Sequence, residues 1–244
     1  KESLSKSIGN AMTLVFISSL LVMALAIPSA GSLLKLTKTP AETFDLAHSY
    51  LTIILWGTLG LAYYNIVAGI LRGLGNSVFP LLILLLTSCL NVVLDLWFVA
   101  GLGWGVAGAA WATIISVAVS AVICIVKLYR MRDVVRIDGA SLIPRRNLTT
   151  QLLRLGLPAG ATQAIFSMSM VFVQALANSM GYQVVTCTTA VMRIDGFAMM
   201  PNFTFGMAIA TFVGQNIGAN KLDRVNRGTK DILRISLTAS FMLV

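Results

Sequence analysis

The sequence predicts an all-α integral membrane protein, and three observations carry that prediction. Of the 244 residues, 57% are hydrophobic and 11% charged, against about 25% charged in soluble domains. The apolar residues fall in long continuous runs, which suit helices, whereas barrel strands would alternate every second residue. The basic residues lie between the runs, so the net charge of +9 reports membrane orientation and no nucleic-acid partner. Cys89, Cys124 and Cys187 sit inside apolar runs without metal-ligand spacing, and their odd count argues against a disulfide framework. They read as small core residues.

The first span is expected over about Ile8–Leu34, after the polar start ESLSKSIGN, with Pro28 and Gly31 interrupting its far end. The loop KLTKTPAETFDLAHS follows, and His48 reads as a surface residue of that loop. The second span covers about Tyr50–Leu71. Its polar patch of Tyr63, Tyr64 and Asn65 suits aromatic packing, with cavity lining as the alternative. In RGLGNSVFP, Gly73 and Gly75 suit a tight turn, Asn76 or Ser77 can cap the next helix, and Pro80 is tolerated in its first turn.

The third span runs from about Val78 to Ala100, with Trp97 and Trp104 bracketing its exit as an interfacial belt. The short turn GLGWG makes the third and fourth spans antiparallel neighbours. The fourth span, about Val106–Lys127, opens on the small pairs Gly105/Ala109 and Gly108/Ala112, which admit a close helix neighbour. Residues 131–150 form a basic linker containing Gly139 and Pro144, with a surface-lying helix expected within it. The fifth span, about Leu152–Met180, carries GLPAG, Gln163 and Gln174. The sixth, about Val184–Val213, carries Arg193, Asp195 and Pro201, which predicts a kink. Arg193 and Asp195 are two apart and do not share a helical face. A seventh span starts near Ile232.

Orientation follows from the basic residues. With Lys1 inside, Lys6, Arg72, the seven from Lys127 to Arg154 and the five from Lys221 to Arg234 are also cytoplasmic. Only Lys35 and Lys38 fall outside, and Arg193 lies within a span. This is a strong positive-inside asymmetry.

The stretch LLLTSCLNVVLDLWF at 84–98 holds an ionisable residue in apolar surroundings. Asp95 lies four residues after Asn91, just over one helical turn, so both share a face; Ser88 continues the stripe and Thr87 is close to it. A carboxylate at the bilayer centre costs about 2.5–3.5 kcal/mol on insertion scales. It persists where the side chain faces protein or water, which points to a cation or proton site. The competing reading is that Asp95, six residues before Gly101, sits near the membrane surface, where a carboxylate is cheap. Thr113 lies at about the depth of Asp95 if the third and fourth spans form a hairpin, although a membrane-helix Thr usually bonds its own backbone.

A weak internal repeat lays residues 225–244 over 4–23, with Arg227 over Lys6, Asp231 over Asn10 and Ser240 over Ser19. It suggests two similar halves joined by the basic linker, as in many transporters. Residues 1–130 then form a partial amino-terminal lobe of four helices. Residues 151–244 form a partial carboxy-terminal lobe of two helices and a truncated third. The chain opens without Met and closes inside an apolar run, so a fragment of a longer protein is expected.

ILRGLGNSVFP, NVVLDLWFVAGLGWGVAGAAWATIIS, LGLPAG and FVGQNIGANKLDR together resemble the multidrug and toxic compound extrusion (MATE) transporters. The resemblance implies helices three to eight and the start of nine of a two-lobe, six-plus-six-helix transporter bundle. It implies export of organic, often cationic compounds in exchange for H⁺ or Na⁺, a bacterial plasma-membrane location, a small organic substrate and a monomeric full-length protein. Asp95 and Asn91 match the acidic and amide positions of the family's amino-lobe cation site, and Thr113 a hydroxyl position of it. Na⁺ would sit at these three residues, and no other cofactor is expected.

Gln163, Arg193, Asp195 and Tyr63 are expected along the substrate path. The fifth span lacks the Glu that some members use for a carboxy-lobe sodium site, with Gln163 standing in that region. The alternative is a lipid-linked oligosaccharide flippase of the related superfamily, which predicts a more cationic cavity than Arg193 alone supplies. An intramembrane enzyme is disfavoured, because no zinc motif, activated Ser or facing pair of Asp residues is present.

Overall fold

A computed structural model describes residues 2–37, 39, 41–131 and 134–243. Lys1, Lys38 and Arg132, which enter the charge asymmetry, lie outside the described residues. The fold is helical throughout: α1 (Glu2–Leu36), α2 (Ala41–Trp56), α3 (Thr58–Gly73), α4 (Val78–Asp95), α5 (Gly105–Arg130), α6 (Arg146–Ser179), α7 (Tyr182–Gly218) and α8 (Leu222–Leu243). Among the described residues, α1, α4 with its continuation, α5, α6 and α7 are each long and apolar enough to cross a membrane. Counted together, α2 and α3 pass the same length and composition test as one further, sixth span.

That sixth span differs from the straight helix expected. It bends by 44° between α2 and α3, where Gly57 abuts α5. A Cβ on Gly57 would lie 2.7 Å from Ile114 Cγ1, so only glycine lets the bent span approach this closely. The span also begins earlier than expected. Helix α2 starts at Ala41, which moves His48 out of a loop and into a helix, stacked on Phe44 with ring centroids 6.2 Å apart.

Helix α3 ends as the sequence suggested. Gly75 adopts φ +90° and the Asn76 N–H bonds the Leu71 carbonyl at 2.9 Å, a left-handed closure that spares a side chain its steric penalty. Asn76, rather than Ser77, then caps α4 by accepting the Phe79 N–H at 3.2 Å. Beyond Asp95, α4 does not continue as an α-helix. Residues Leu96–Gly101 form a π-helical turn, marked by the Leu102 N–H bonding the Trp97 carbonyl at 2.9 Å. The outer end of the α4–α5 hairpin is closed by Phe98 against Trp104, centroids 5.1 Å apart. Both residues also approach Gly108, where an added Cβ would lie 3.0 Å from Trp104 Cβ and 3.1 Å from Phe98 Cβ.

Residues 1–158 form one compact unit and 159–244 another. In the first, the core gathers at the linker end of the helices, the end predicted to be cytoplasmic: Ile8 and Met12 of α1, Val67 and Leu71 of α3, Cys124 and Leu128 of α5, and Val135 of the linker. The tyrosines pack here as expected, Tyr63 donating to the Met12 carbonyl at 3.2 Å and Tyr64 to the Pro80 carbonyl at 3.4 Å.

Among its described residues the linker carries a single helical turn, Gly139–Ser141, in place of a surface-lying helix. It is held extended by α1. Ser5 Oγ accepts the Arg136 N–H at 2.9 Å, and Thr13 donates to the Leu142 carbonyl at 2.7 Å. Asn10 brackets Arg145, and Gly9 leaves room for the Ser141 carbonyl.

In the second unit, α7 and α8 pack as a hairpin, with Ser240 donating to Asn202 Oδ1 at 3.1 Å. Asn220, at φ 56°, closes α7. Helix α8 begins about ten residues before the expected seventh span, because the polar LDRVNRGTKD already forms helix.

Candidate cation-binding site

The α4–α5 hairpin places the sequence-derived site residues on one seam. On α4, Thr87, Asn91 and Asp95 step by four residues along one ridge. Thr87 is 3% exposed while Ser88 is exposed, so Thr87 and not Ser88 continues the buried stripe. On α5, Thr113, Ser116 and Ser120 form the facing polar stripe. Ser120 donates to Thr87 Oγ1 at 2.7 Å. This bond pins the two antiparallel helices in register, so Asn91 falls opposite Ser116, and Asp95 falls at the level of Thr113.

The hydrogen-bond inventory of this seam is uneven. Thr87 donates to the Ile83 carbonyl at 2.8 Å and accepts from Ser120, so the inner rung is satisfied. Thr113 donates to the Ala109 carbonyl at 3.0 Å. That is the back-bonding expected of a membrane Thr, and it leaves the oxygen's lone pairs as acceptors. Above the satisfied rung, Asn91 Nδ2, Asp95 Oδ1 and Ser116 Oγ are all buried without a partner. Unpartnered buried polar atoms cost about 1–3 kcal/mol each by mutational measures. These three lie on successive turns of the two helices along one seam. Asp95 also sits where the α-helix passes into the π-helical turn, a local widening frequent at functional sites.

Depth follows from helix geometry. Asp95 lies seventeen residues beyond Val78, about 26 Å along α4 at 1.5 Å per residue. With Val78 at the cytoplasmic face, as the positive-inside pattern predicts, that distance corresponds to the outer part of the membrane.

The remaining sequence candidates are not on this seam. Tyr63 is in the cytoplasmic-side core. Gln163, Arg193 and Asp195 are exposed on α6 and α7 of the second unit. The ion pairs among the described residues are Lys6–Glu2, Arg136–Asp138 and Arg234–Asp231, so Arg193 and Asp195 do not pair with each other. No group of three His, Cys, Asp or Glu residues gathers among the described residues. Sequence reasoning missed Ser116 and Ser120. Their spacing of three and seven from Thr113 was the available signal, an i, i+3, i+7 hydroxyl stripe on an otherwise apolar helix.

The fold is that of a multi-pass α-helical membrane protein, with Asp95 carried on one of its apolar helices. The chain belongs to the MATE family of transporters, whose MatE model matches residues 1–97 and 158–244. The probable multidrug resistance protein YpnP of Bacillus subtilis (strain 168) is 33% identical over 193 residues, 79% of this chain and 43% of that protein. The probable multidrug resistance protein NorM of Thermotoga maritima is 28% identical over 188 residues, 75% of this chain and 40% of that protein.

Among solved structures, an outward-facing multidrug resistance MATE family transporter of the MOP superfamily aligns with a TM-score of 0.87 at 28% identity. It is matched over 98% of this chain and 53% of its own. A MOP superfamily transporter from Pyrococcus furiosus aligns with a TM-score of 0.85 at 26% identity, over 97% of this chain and 58% of its own. The chain spans about half the length of the curated relatives it matches. With its apolar spans and bacterial relatives, it is a multi-pass plasma-membrane protein.

Proposed function

We propose that this chain belongs to a secondary active antiporter that exports organic, often cationic compounds in exchange for H⁺ or Na⁺ by alternating access. The observation that carries this reading is the buried, unpartnered Asp95 Oδ1 beside Asn91 on the α4–α5 seam. In apolar surroundings a carboxylate is stabilised by taking up a proton or a cation. Asn91 and Thr113 supply neutral oxygens to the same site. Uptake changes the charge on the seam and with it the packing of α4 against α5. A cation with different affinity for two arrangements shifts their populations, which is the requirement for coupling. Access from the outer side follows from the position of Asp95 in the outer part of the membrane. The relatives named for multidrug resistance support the substrate class.

The test is Asp95→Asn in the intact protein, read by ethidium efflux and by drug tolerance of cells at matched expression. Ion-coupled efflux is expected to be lost. Efflux by the variant at the wild-type rate would overturn the proposal.

A further inference from the structure

The start of α1 and the start of α6 line a common cleft of about 760 Å³. Lys6, Arg145 and Arg146 are among its lining residues, with Glu2 as the acid. Glu2 is paired with Lys6. Arg145 and Arg146 are exposed and, among the described residues, take part in no ion pair. Three cations against one carboxylate leave the cleft positive. Arg146, Asn147 and Leu148 are also the first turn of α6 and line the same cleft. The N–H groups of a first turn have no acceptor within their helix and carry the positive end of its dipole. The arrangement is held in place by Asn10, which grips the Arg145 backbone and accepts the Thr149 hydroxyl at 3.4 Å.

An apolar groove of about 320 Å³ lies next along the same helices. Ile8 and Ala11 of α1, Ile66, Gly69 and Ile70 of α3, and Leu152 of α6 line it. Leu152 is four residues beyond Leu148, about 6 Å further along α6, and Ile8 follows Lys6 along α1. Two polar residues also border the groove, and both give their donors to their own helices. Ser7 donates to the Ser3 carbonyl at 3.0 Å and Asn65 to the Leu61 carbonyl at 2.8 Å. A Cβ on Gly69 would meet only Arg72 Nη2, at 3.9 Å, so the missing side chain leaves the groove open.

From this we infer that cleft and groove together form a binding site for an anionic phospholipid. Its headgroup phosphate sits on Arg145, Arg146 and the first turn of α6, and one acyl chain lies along the groove. A free phosphate would answer the cations and leave the groove unused. A neutral apolar molecule would fill the groove and leave the cations unanswered. An amphiphile with its charge at one end satisfies both. The order also fits: along α1 and α6 the cations come first, at the linker end, and the groove follows into the apolar part of the helices. The linker end is the one predicted to be cytoplasmic, and basic pockets between helices on that side hold anionic headgroups. A lipid bound here ties α1 to the start of α6 beside the linker.

The experiment is native mass spectrometry of the purified intact protein, titrated separately with dioleoylphosphatidylglycerol, dioleoylphosphatidylcholine and glycerol phosphate. The anionic lipid is expected to bind about tenfold more tightly than the zwitterionic one, and glycerol phosphate weakly. Arg145→Gln with Arg146→Gln is expected to weaken the anionic lipid about thirtyfold, on the order of what two basic residues contribute at an anionic surface. Arg145→Lys with Arg146→Lys keeps the charge and should stay within a few fold of wild type. Gly69→Leu fills the groove and should weaken the lipid without changing glycerol phosphate. Gly69→Ala leaves most of the groove open, stays near wild type and guards against a helix defect.

Arg130→Gln with Arg136→Gln removes two charges outside the cleft and should leave lipid binding unchanged. An equal loss in that control would reduce the effect to general surface charge and overturn the site. Wild-type lipid binding by the Arg145/Arg146 Gln variant, or equal affinity for the two lipids, would overturn it as well. Glycerol phosphate binding as tightly as the anionic lipid, with Gly69→Leu silent, would make the ligand a free phosphate and remove the lipid.

Discussion

Ser120 donates to Thr87 across the α4–α5 interface at 2.7 Å, with both side chains about 3% exposed. This bond sets the register of the two helices that carry the candidate cation ligands. Interhelical hydrogen bonds in membranes are worth about 0.6 kcal/mol on average and about 1.7 at most. Ser120→Ala is therefore expected to lower Tm only slightly while disturbing transport more than that small loss explains, because the ligands one and two turns away lose their alignment. Measuring Tm and ethidium efflux on the same preparation checks this, and parallel, equally small losses would count against a positioning role.

Thr113 separates a ligand from a structural hydroxyl. Thr113→Val removes the oxygen while keeping the shape, and Thr113→Ser keeps the oxygen. Efflux driven by an imposed ion gradient should fall about tenfold for the Val variant, a change of about 1.4 kcal/mol, and stay near wild type for the Ser variant. Equal efflux by both would place Thr113 outside the site.

Asn10 holds the linker backbone from both sides, donating to the Arg145 carbonyl at 3.3 Å and accepting its N–H at 3.2 Å. Asn10 is 2% exposed, so Asn10→Ala leaves buried backbone groups unpaired at a cost of about 1–3 kcal/mol. The linker should detach from α1 and free its backbone at Arg136, Arg145 and Arg146, whose side chains are already exposed, for trypsin. Faster cleavage at these sites, followed by mass spectrometry, is the expected result, and an unchanged cleavage rate would show that other contacts hold the linker.

Gly57 and Ile114 form a close contact at the bend between α2 and α3. Gly57→Ala is expected to destabilise by about 1–3 kcal/mol, as overpacking does. Adding Ile114→Ala should recover part of that loss, because the two positions share one contact. Thermal unfolding of the single and double variants measures the coupling. Strictly additive effects would mean that the bend has another cause.

Much of the architecture was legible from composition and spacing. The apolar runs located the spans, GLGN located the turn before α4, and the clustering of Lys and Arg oriented the chain. Asn91 and Asp95 were legible because a carboxylate in an apolar run is costly wherever it falls. The bend at Gly57 was not legible, since it depends on Ile114 in another helix. The π-helical turn after Asp95 was not legible either, since LWFVAG gives no local sign of it. His48 was misplaced because the start of α2, AETFDLAHS, is polar enough to read as loop.

The sequence by itself determined that this chain folds as membrane helices and that Asp95 and Asn91 share a face. These follow from local costs: charge in hydrocarbon, unsatisfied backbone, and a period of 3.6 residues. Only the tertiary structure decided that Thr87 rather than Ser88 lines the seam, and that Ser116 is left without a partner. A helix presents both Thr87 and Ser88 within one turn, and its own periodicity does not rank them. The choice is made by how α5 lies against α4, through a bond between residues 33 positions apart in the chain.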